Sequence, residues 1–361
     1  MSRAESAPAK RILVVRLGAI GDALRVLPAV RSLRLARPEA LIGWAVENWV
    51  HPVLEGNPNV DRFHVLDRRE LRGGVRRALA ESRRFIAEVR AEGYDTVLDF
   101  HGRLKSGLVS WLSGATRRIG YGKGDCTEGN HFFNNVHVRL DDPYENRVLR
   151  FLHLLAPLAI AATFQARDTG LHVDPRQREA ARGWYRQRGC PPLAAYPGTS
   201  RHQASYHRWP PEKWVELLRR VSGEGVASVV FWGPDETEAA RWIVDRVPER
   251  CLLAPATTLP EMMAMVGCFS AFVGSNTAAM HMAWLQGVPT AVFTGPAQPR
   301  TDAPLAPVPF RVLRADEHVQ AGISKRHQGE VVAAVTVEEV LDAVRFLLAA
   351  GQDWTQPALV D

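Results

Sequence analysis

No run of about 18 apolar residues occurs in this 361-residue chain, so nothing in it reads as a membrane-spanning helix. The most apolar stretch, 151–164, carries His153 and is interrupted by Pro157. Cysteine is sparse: Cys126, Cys190, Cys251 and Cys268 stand far apart, with no Cys-x-x-Cys pair and no tight Cys/His spacing. That excludes a disulfide framework and a structural zinc site, and four free thiols are expected. The Gly-x-Gly-x-x-Gly fingerprint is missing from both halves, which leaves a dehydrogenase reading without its pyrophosphate loop. Lysine supplies only five of the 45 basic side chains. Such an arginine bias reads as a general preference as readily as a binding patch. The first eleven residues are polar and lack the apolar core and cleavage site of a signal peptide, so a cytoplasmic location is expected.

What is present is an ordinary globular composition with enough length for about two domains. Residues 1–175 hold 26 basic against 20 acidic side chains and the remainder 19 against 19, so the whole excess of +6 lies in the first half. The partner of that half is expected to be anionic, and nothing points to nucleic acid.

Strand-like runs and amphipathic helical patterns alternate along the chain, which predicts α/β architecture with parallel sheets. In the first half the strands are expected at 11–17, 41–46, 62–66, 96–100 and 117–121, with helical patterns over 71–90 and 143–164. A second series follows, with strands at 194–196, 228–232, 251–253, 271–273 and 290–294. Helices are expected over 211–222, 235–246, 259–266, 278–285 and 337–348. The last of these could pack on either domain. The organisation is therefore an N-terminal domain over 1–175, a connection over 176–192 that includes a helix ending at Gly189, and a C-terminal domain over 193–361.

Ligands of open parallel sheets bind beyond the carboxyl ends of the strands. At the first strand's end stands Arg16-Leu17-Gly18-Ala19-Ile20-Gly21-Asp22, where Gly18 permits close backbone approach and Asp22 is either a helix cap or a reactive carboxylate. In the second half, Thr199, Ser200 and Arg201 follow a strand and the basic, aromatic run containing His207, Arg208 and Trp209 precedes a helix. Hydroxyls, backbone N–H groups and a guanidinium at such a place suit a phosphate. Asn276, Thr277, Ala278 and His281 open another helix after a strand, and Gly295 follows the next strand. Taken singly, a cap and a buried histidine would explain this second group equally well.

The ordered set of Gly21-Asp22 with Pro28, the segment from Asp99 to Ser106, Arg118-Ile119-Gly120-Tyr121, Arg208-Trp209-Pro210, Thr277 to His281, Gly287-Val288-Pro289 and Gly295-Pro296 resembles the glycosyltransferase family 9 heptosyltransferases. Within that family it is most similar to those adding the first heptose of the lipopolysaccharide inner core. The resemblance implies a GT-B fold, two Rossmann-like domains with parallel sheets facing across a cleft that closes on the substrates. It implies an inverting, metal-independent transfer, with no cofactor, from ADP-heptose to an anionic lipid-linked acceptor of the Kdo-lipid A type. The protein would work at the inner face of the cytoplasmic membrane, in peripheral contact with its surface. The family's general base maps onto Asp22, the acceptor onto Gly18, Arg103 and Lys105, with Arg117 and Arg118 as further basic candidates, and the nucleotide sugar onto Thr199, Ser200, Arg201, His207, Arg208, Asn276, Thr277, Ala278, His281 and Gly295. Two positions depart from the family: His207 stands where a lysine is usual, and Asn276 where an aspartate is usual. An amide keeps hydrogen bonding but not charge. These departures leave open a related GT-B transferase with another nucleotide sugar or acceptor, or a nucleotide-sugar-binding protein without turnover.

Overall fold

The computed structural model describes residues 9–189, 192–199, 208–247, 249–295, 299–314 and 328–354. The chain divides into two units, Met1–His172 and Val173–Asp361. The first contains β1 (Arg11–Val15), β2 (Leu41–Glu47), β3 (Arg62–Leu66), β4 (Thr96–Asp99), β5 (Arg117–Tyr121) and β6 (Val136–Val138), with helices α1 (Ile20–Ala36), α2 (Arg68–Arg72), α3 (Val75–Ala91), α4 (Leu104–Leu112) and α5 (Arg147–His153). All its strands are parallel, in the order β3-β2-β1-β4-β5-β6.

Helices on both faces explain why β1 and β4 are almost wholly buried rather than alternating. Leu24, Leu27, Val30 and Leu33 of α1 are buried as their spacing predicts. The helical pattern over 71–90 is split at Gly73-Gly74, where Gly74 has a φ of +103°. Phe85 and Val89 of α3 enter the core, while Val75 and Leu79 stay exposed. The pattern over 143–164 yields only α5 and a single 3-10 turn, Ala156–Leu158, opened by Pro157, because proline cannot supply the amide that would continue a helix.

The second unit contains α6 (Pro175–Arg186), β7 (Leu193–Tyr196), α7 (Pro211–Gly223), β8 (Ser228–Val230), α8 (Thr237–Val244), β9 (Cys251–Leu253), α9 (Leu259–Val266), β10 (Ala271–Ser275), α10 (Ala278–Trp284), β11 (Thr290–Phe293), α11 (Pro299–Asp302), β12 (Phe310–Leu313), α12 (Gln328–Ala334) and α13 (Val337–Trp354). Its parallel sheet has the order β12-β11-β10-β7-β8-β9. Most of the stretch expected as a connection is α6, which packs on α9. Tyr185 donates its hydroxyl to the Met265 carbonyl at 3.2 Å and sets its ring edge-on to Phe269. Helix α13 packs on α7 and on β10, β11 and β12 of the same unit. Strands β6 and β12 are short edge strands absent from the sequence-based expectation, since Val-His-Val and Phe-Arg-Val-Leu are only three and four residues long and each is interrupted by a polar side chain.

Candidate active site

Each sheet reverses its strand order once, between β1 and β4 in the first unit and between β7 and β10 in the second. A crevice opens at the carboxyl end of the strands at such a reversal. Gly18, Asp22, Arg103 and Lys105 of the first half and Thr199, Asn276, Thr277 and Ala278 of the second follow the strands that flank these two places.

In the first unit Arg16 is buried at the end of β1. Its Nη1 donates to the Phe100 carbonyl after β4 at 3.0 Å, and its Nη2 donates to Asp22. Asp22 is the third residue of α1, whose cap position is held by Ala19, so Asp22 is not the cap residue of that helix. Its other oxygen takes Arg25 from the next turn, and Arg147 at the start of α5 lies 3.8 Å away. Three guanidinium groups thus converge on one carboxylate that keeps 18% of its side chain exposed. Burial pulls the pKa of Arg16 below its ordinary value, against the attraction of Asp22.

His101 closes the crevice from β4. The Leu17 amide donates to its Nδ1 at 3.3 Å, so a neutral ring carries its proton on Nε2. Burial, reinforced by Arg16, pushes its pKa down to about 3. Asp99 organises this turn from beneath: it is fully buried and receives the His101 and Gly102 amides at 3.0 and 3.2 Å and Asn130 Nδ2 at 2.6 Å, with the Ser106 hydroxyl 3.0 Å away. Burial raises its pKa.

Gly18 and Lys105 meet around Glu47 at the end of β2. Lys105 donates to one Glu47 oxygen at 2.6 Å and the Trp49 indole donates to the other at 2.6 Å, with Arg68 at 3.9 Å. A Cβ at position 18 would lie 3.1 Å from the Trp49 ring, so glycine lets the ring close over the loop. Burial raises the Glu47 pKa, but the hydrogen bonds from Lys105 and Trp49 outweigh it and hold the carboxyl below the ordinary range. Arg103 stands on the same edge, exposed, 3.7 Å from Glu128. Arg117 and Arg118 start β5, at the opposite end of the sheet, and donate to backbone carbonyls, so they do not join the crevice.

In the second unit Glu236, after β8, draws two loops together. Its carboxylate accepts from the Thr199 amide at 2.8 Å, the Gly233 amide at 3.1 Å and Arg208 Nη2 at 2.9 Å. A side chain at Gly198 would collide with it. The hydroxyls of Thr199, Thr277 and Thr294 are buried without a hydrogen-bond partner among the described residues. They follow β7, β10 and β11, three adjacent strands, and so stand in a row at one sheet edge. Thr277 holds the cap position of α10 yet makes no side-chain cap bond. Asn276 and Ala278 flank it half-buried, and Gly295 is buried after β11.

His281 lies deeper, 2% exposed, its Nδ1 accepting from the Trp284 indole at 2.9 Å. Trp209 belongs to the core: it stacks on Phe293 and donates to the Val335 carbonyl at 2.9 Å. Ser200, Arg201 and His207 lie outside the described residues, as does Cys190. Among the described residues no group of three or more His, Cys, Asp or Glu could hold a metal ion.

Sequence reasoning missed Glu47, Trp49, Arg25, Arg147, Glu236 and Thr294. Glu236 was open to the strand-end rule, because it follows an expected strand, whereas Thr294 was expected as the last residue of a strand that ends at Phe293; Arg147 was not open to it, because its link to Asp22 spans more than a hundred residues.

Four similarities to known proteins bear on this arrangement. Lipopolysaccharide heptosyltransferase 2 of Escherichia coli (strain K12) is 24% identical over 353 residues, covering 94% of this chain and 98% of its own. Lipopolysaccharide heptosyltransferase 1 of Pseudomonas aeruginosa is 26% identical over 299 residues, covering 80% of this chain and 79% of its own. The structure of the E. coli heptosyltransferase WaaC with ADP superposes with a TM-score of 0.76 at 20% identity, over 93% of this chain and 99% of that one, which establishes the GT-B fold. The profile of glycosyltransferase family 9 (heptosyltransferase) matches residues 82–326. The chain belongs to glycosyltransferase family 9 and is a glycosyltransferase of the heptosyltransferase type.

Proposed function

We propose that the protein transfers heptose from ADP-heptose to a lipid-linked, anionic inner-core saccharide, with inversion and without a metal ion, at the inner face of the cytoplasmic membrane. The acceptor is held by the first unit through Gly18, Arg103 and Lys105, and the nucleotide sugar by the second through Thr199, Ser200, Arg201, His207, Arg208, Asn276, Thr277, Ala278, His281 and Gly295. The acceptor oxygen attacks the anomeric carbon opposite the diphosphate. Its proton passes to Asp22 as the carbon–oxygen bond to the diphosphate breaks and ADP leaves. Unpartnered hydroxyls and Arg208 at the edge of the second sheet meet the charge that develops on the leaving group.

The observation that carries this reading is Asp22 itself, a partly exposed carboxylate just beyond β1 at the first sheet's reversal. Its three guanidinium neighbours favour a second reading, in which Asp22 orders Arg16, Arg25 and Arg147 to receive the acceptor's anionic groups.

Asp22→Asn separates them. A general base predicts a fall in kcat of at least ~10²-fold with the acceptor KM and ADP affinity nearly unchanged. If the loss falls on the acceptor KM instead, Asp22 is the organiser and the base must be sought elsewhere.

A further inference from the structure

We infer that the outer faces of α3 and α4 form a docking surface for an anionic lipid bilayer. Helix α4 buries Ser106, Gly107, Val109 and Ser110 and turns Leu104, Leu108 and Trp111 outward, one per turn, with Trp111 57% exposed. A soluble helix normally presents polar residues on that side. Phe132, on the short turn packed against α4, is 80% exposed. Helix α3 packs beside α4 on the same sheet face, as Phe85, Val89 and Val109 share one core cluster. It adds Val75, 85% exposed, and Leu79. Several large apolar side chains exposed on neighbouring elements of one face mark an interaction site.

Charge selects the occupant. Arg72, Arg76, Arg77 and Arg83 surround Val75 and Leu79, all exposed and none in an ion pair among the described residues, while Glu81 and Glu88 of the same helix are both engaged by Arg84. Arginines interleaved with exposed apolar side chains are the composition of a segment that lies in the headgroup layer, apolar groups inserted and guanidiniums on lipid phosphates. A protein partner would need a matching acidic and apolar face; an anionic bilayer offers both properties at once. The N-terminal ends of α3 and α4 also lie at the carboxyl edge of the sheet, where Gly18, Glu47 and Lys105 meet. Docking through this face would bring that edge to the membrane surface. The inference deepens the reading of a lipid-linked acceptor and rests on it only for the purpose of docking.

The test uses the full chain and phosphatidylcholine vesicles with or without phosphatidylglycerol, free of any saccharide acceptor, so that it is independent of the transfer reaction. Co-sedimentation with the phosphatidylglycerol vesicles is expected, weakened by salt and by omission of the anionic lipid. The Leu108→Asp/Trp111→Asp variant and the Arg76→Glu/Arg77→Glu variant should each bind at least ~10-fold more weakly. Both should keep the wild-type melting temperature and full activity on a water-soluble acceptor fragment. The proposal is overturned if the wild type stays in the supernatant, or if either variant still sediments as wild type does. It is likewise overturned if sedimentation velocity shows a wild-type dimer that these substitutions dissolve, since the face would then belong to a second copy of the chain. An inactive protein that still binds vesicles would leave this inference standing and remove the functional reading instead.

Discussion

Glu236 accepts the Thr199 amide at 2.8 Å, tying the loop after β7 to the loop after β8 in the second unit. The same carboxylate takes Arg208 and the Gly233 amide, so three donors depend on one nearly buried acceptor. Glu236→Ala leaves those donors without it, and a loss of about 3 kcal/mol in unfolding free energy is expected. Chemical denaturation measures the loss. Calorimetric titration should also show weaker ADP binding; wild-type ADP affinity in a folded variant would remove Glu236 from the donor site's support.

The Thr277 hydroxyl predicts a separation of stability from binding. It is buried with no partner among the described residues, so Thr277→Val should leave the melting temperature unchanged or raise it. If that oxygen serves the diphosphate, ADP should bind about 10-fold more weakly. Unchanged affinity would return Thr277 to a purely local role.

Trp209 makes the opposite prediction. Its ring is packed against Trp214 and Phe293 and its N–H is used by Val335. Trp209→Phe should cost about 2 kcal/mol of stability, through one buried hydrogen bond and lost volume, with little change in ADP affinity. A large affinity loss at full stability would place Trp209 against the nucleotide.

Acid should destabilise the first unit through His101. The folded ring has a pKa of about 3 because it is buried beside Arg16, whereas an unfolded histidine titrates near 6.5. Between those values the unfolded chain binds the extra proton, so stability falls as pH drops from about 6.5 towards 3, by at most about 1.4 kcal/mol per pH unit. Asp99 has the opposite sign, since burial raises its folded pKa and its contribution falls as pH rises past 3.8. His101→Asn, which keeps an acceptor for the Leu17 amide, should flatten the melting-temperature profile below pH 6.5. An unchanged slope would show that His101 is not the group responsible.

Much of this protein was written locally. The apolar runs that became β1, β2, β4, β7, β10 and β11 stand out because a strand covered on both faces must be apolar along its whole length. Their alternation with helical patterns identified parallel sheets, and the strand-end rule placed Asp22, Lys105, Thr199 and Thr277 at the two reversals of strand order. Tertiary structure alone decided which charges meet. Asp22 meets Arg147 because α5 packs on α1, and Lys105 meets Glu47 because the start of α4 comes beside the end of β2; no periodicity in either segment encodes its partner. It also decided what stays outside: Phe85 and Val75 are both apolar residues of α3, yet only the one whose turn faces the sheet lost its contact with water.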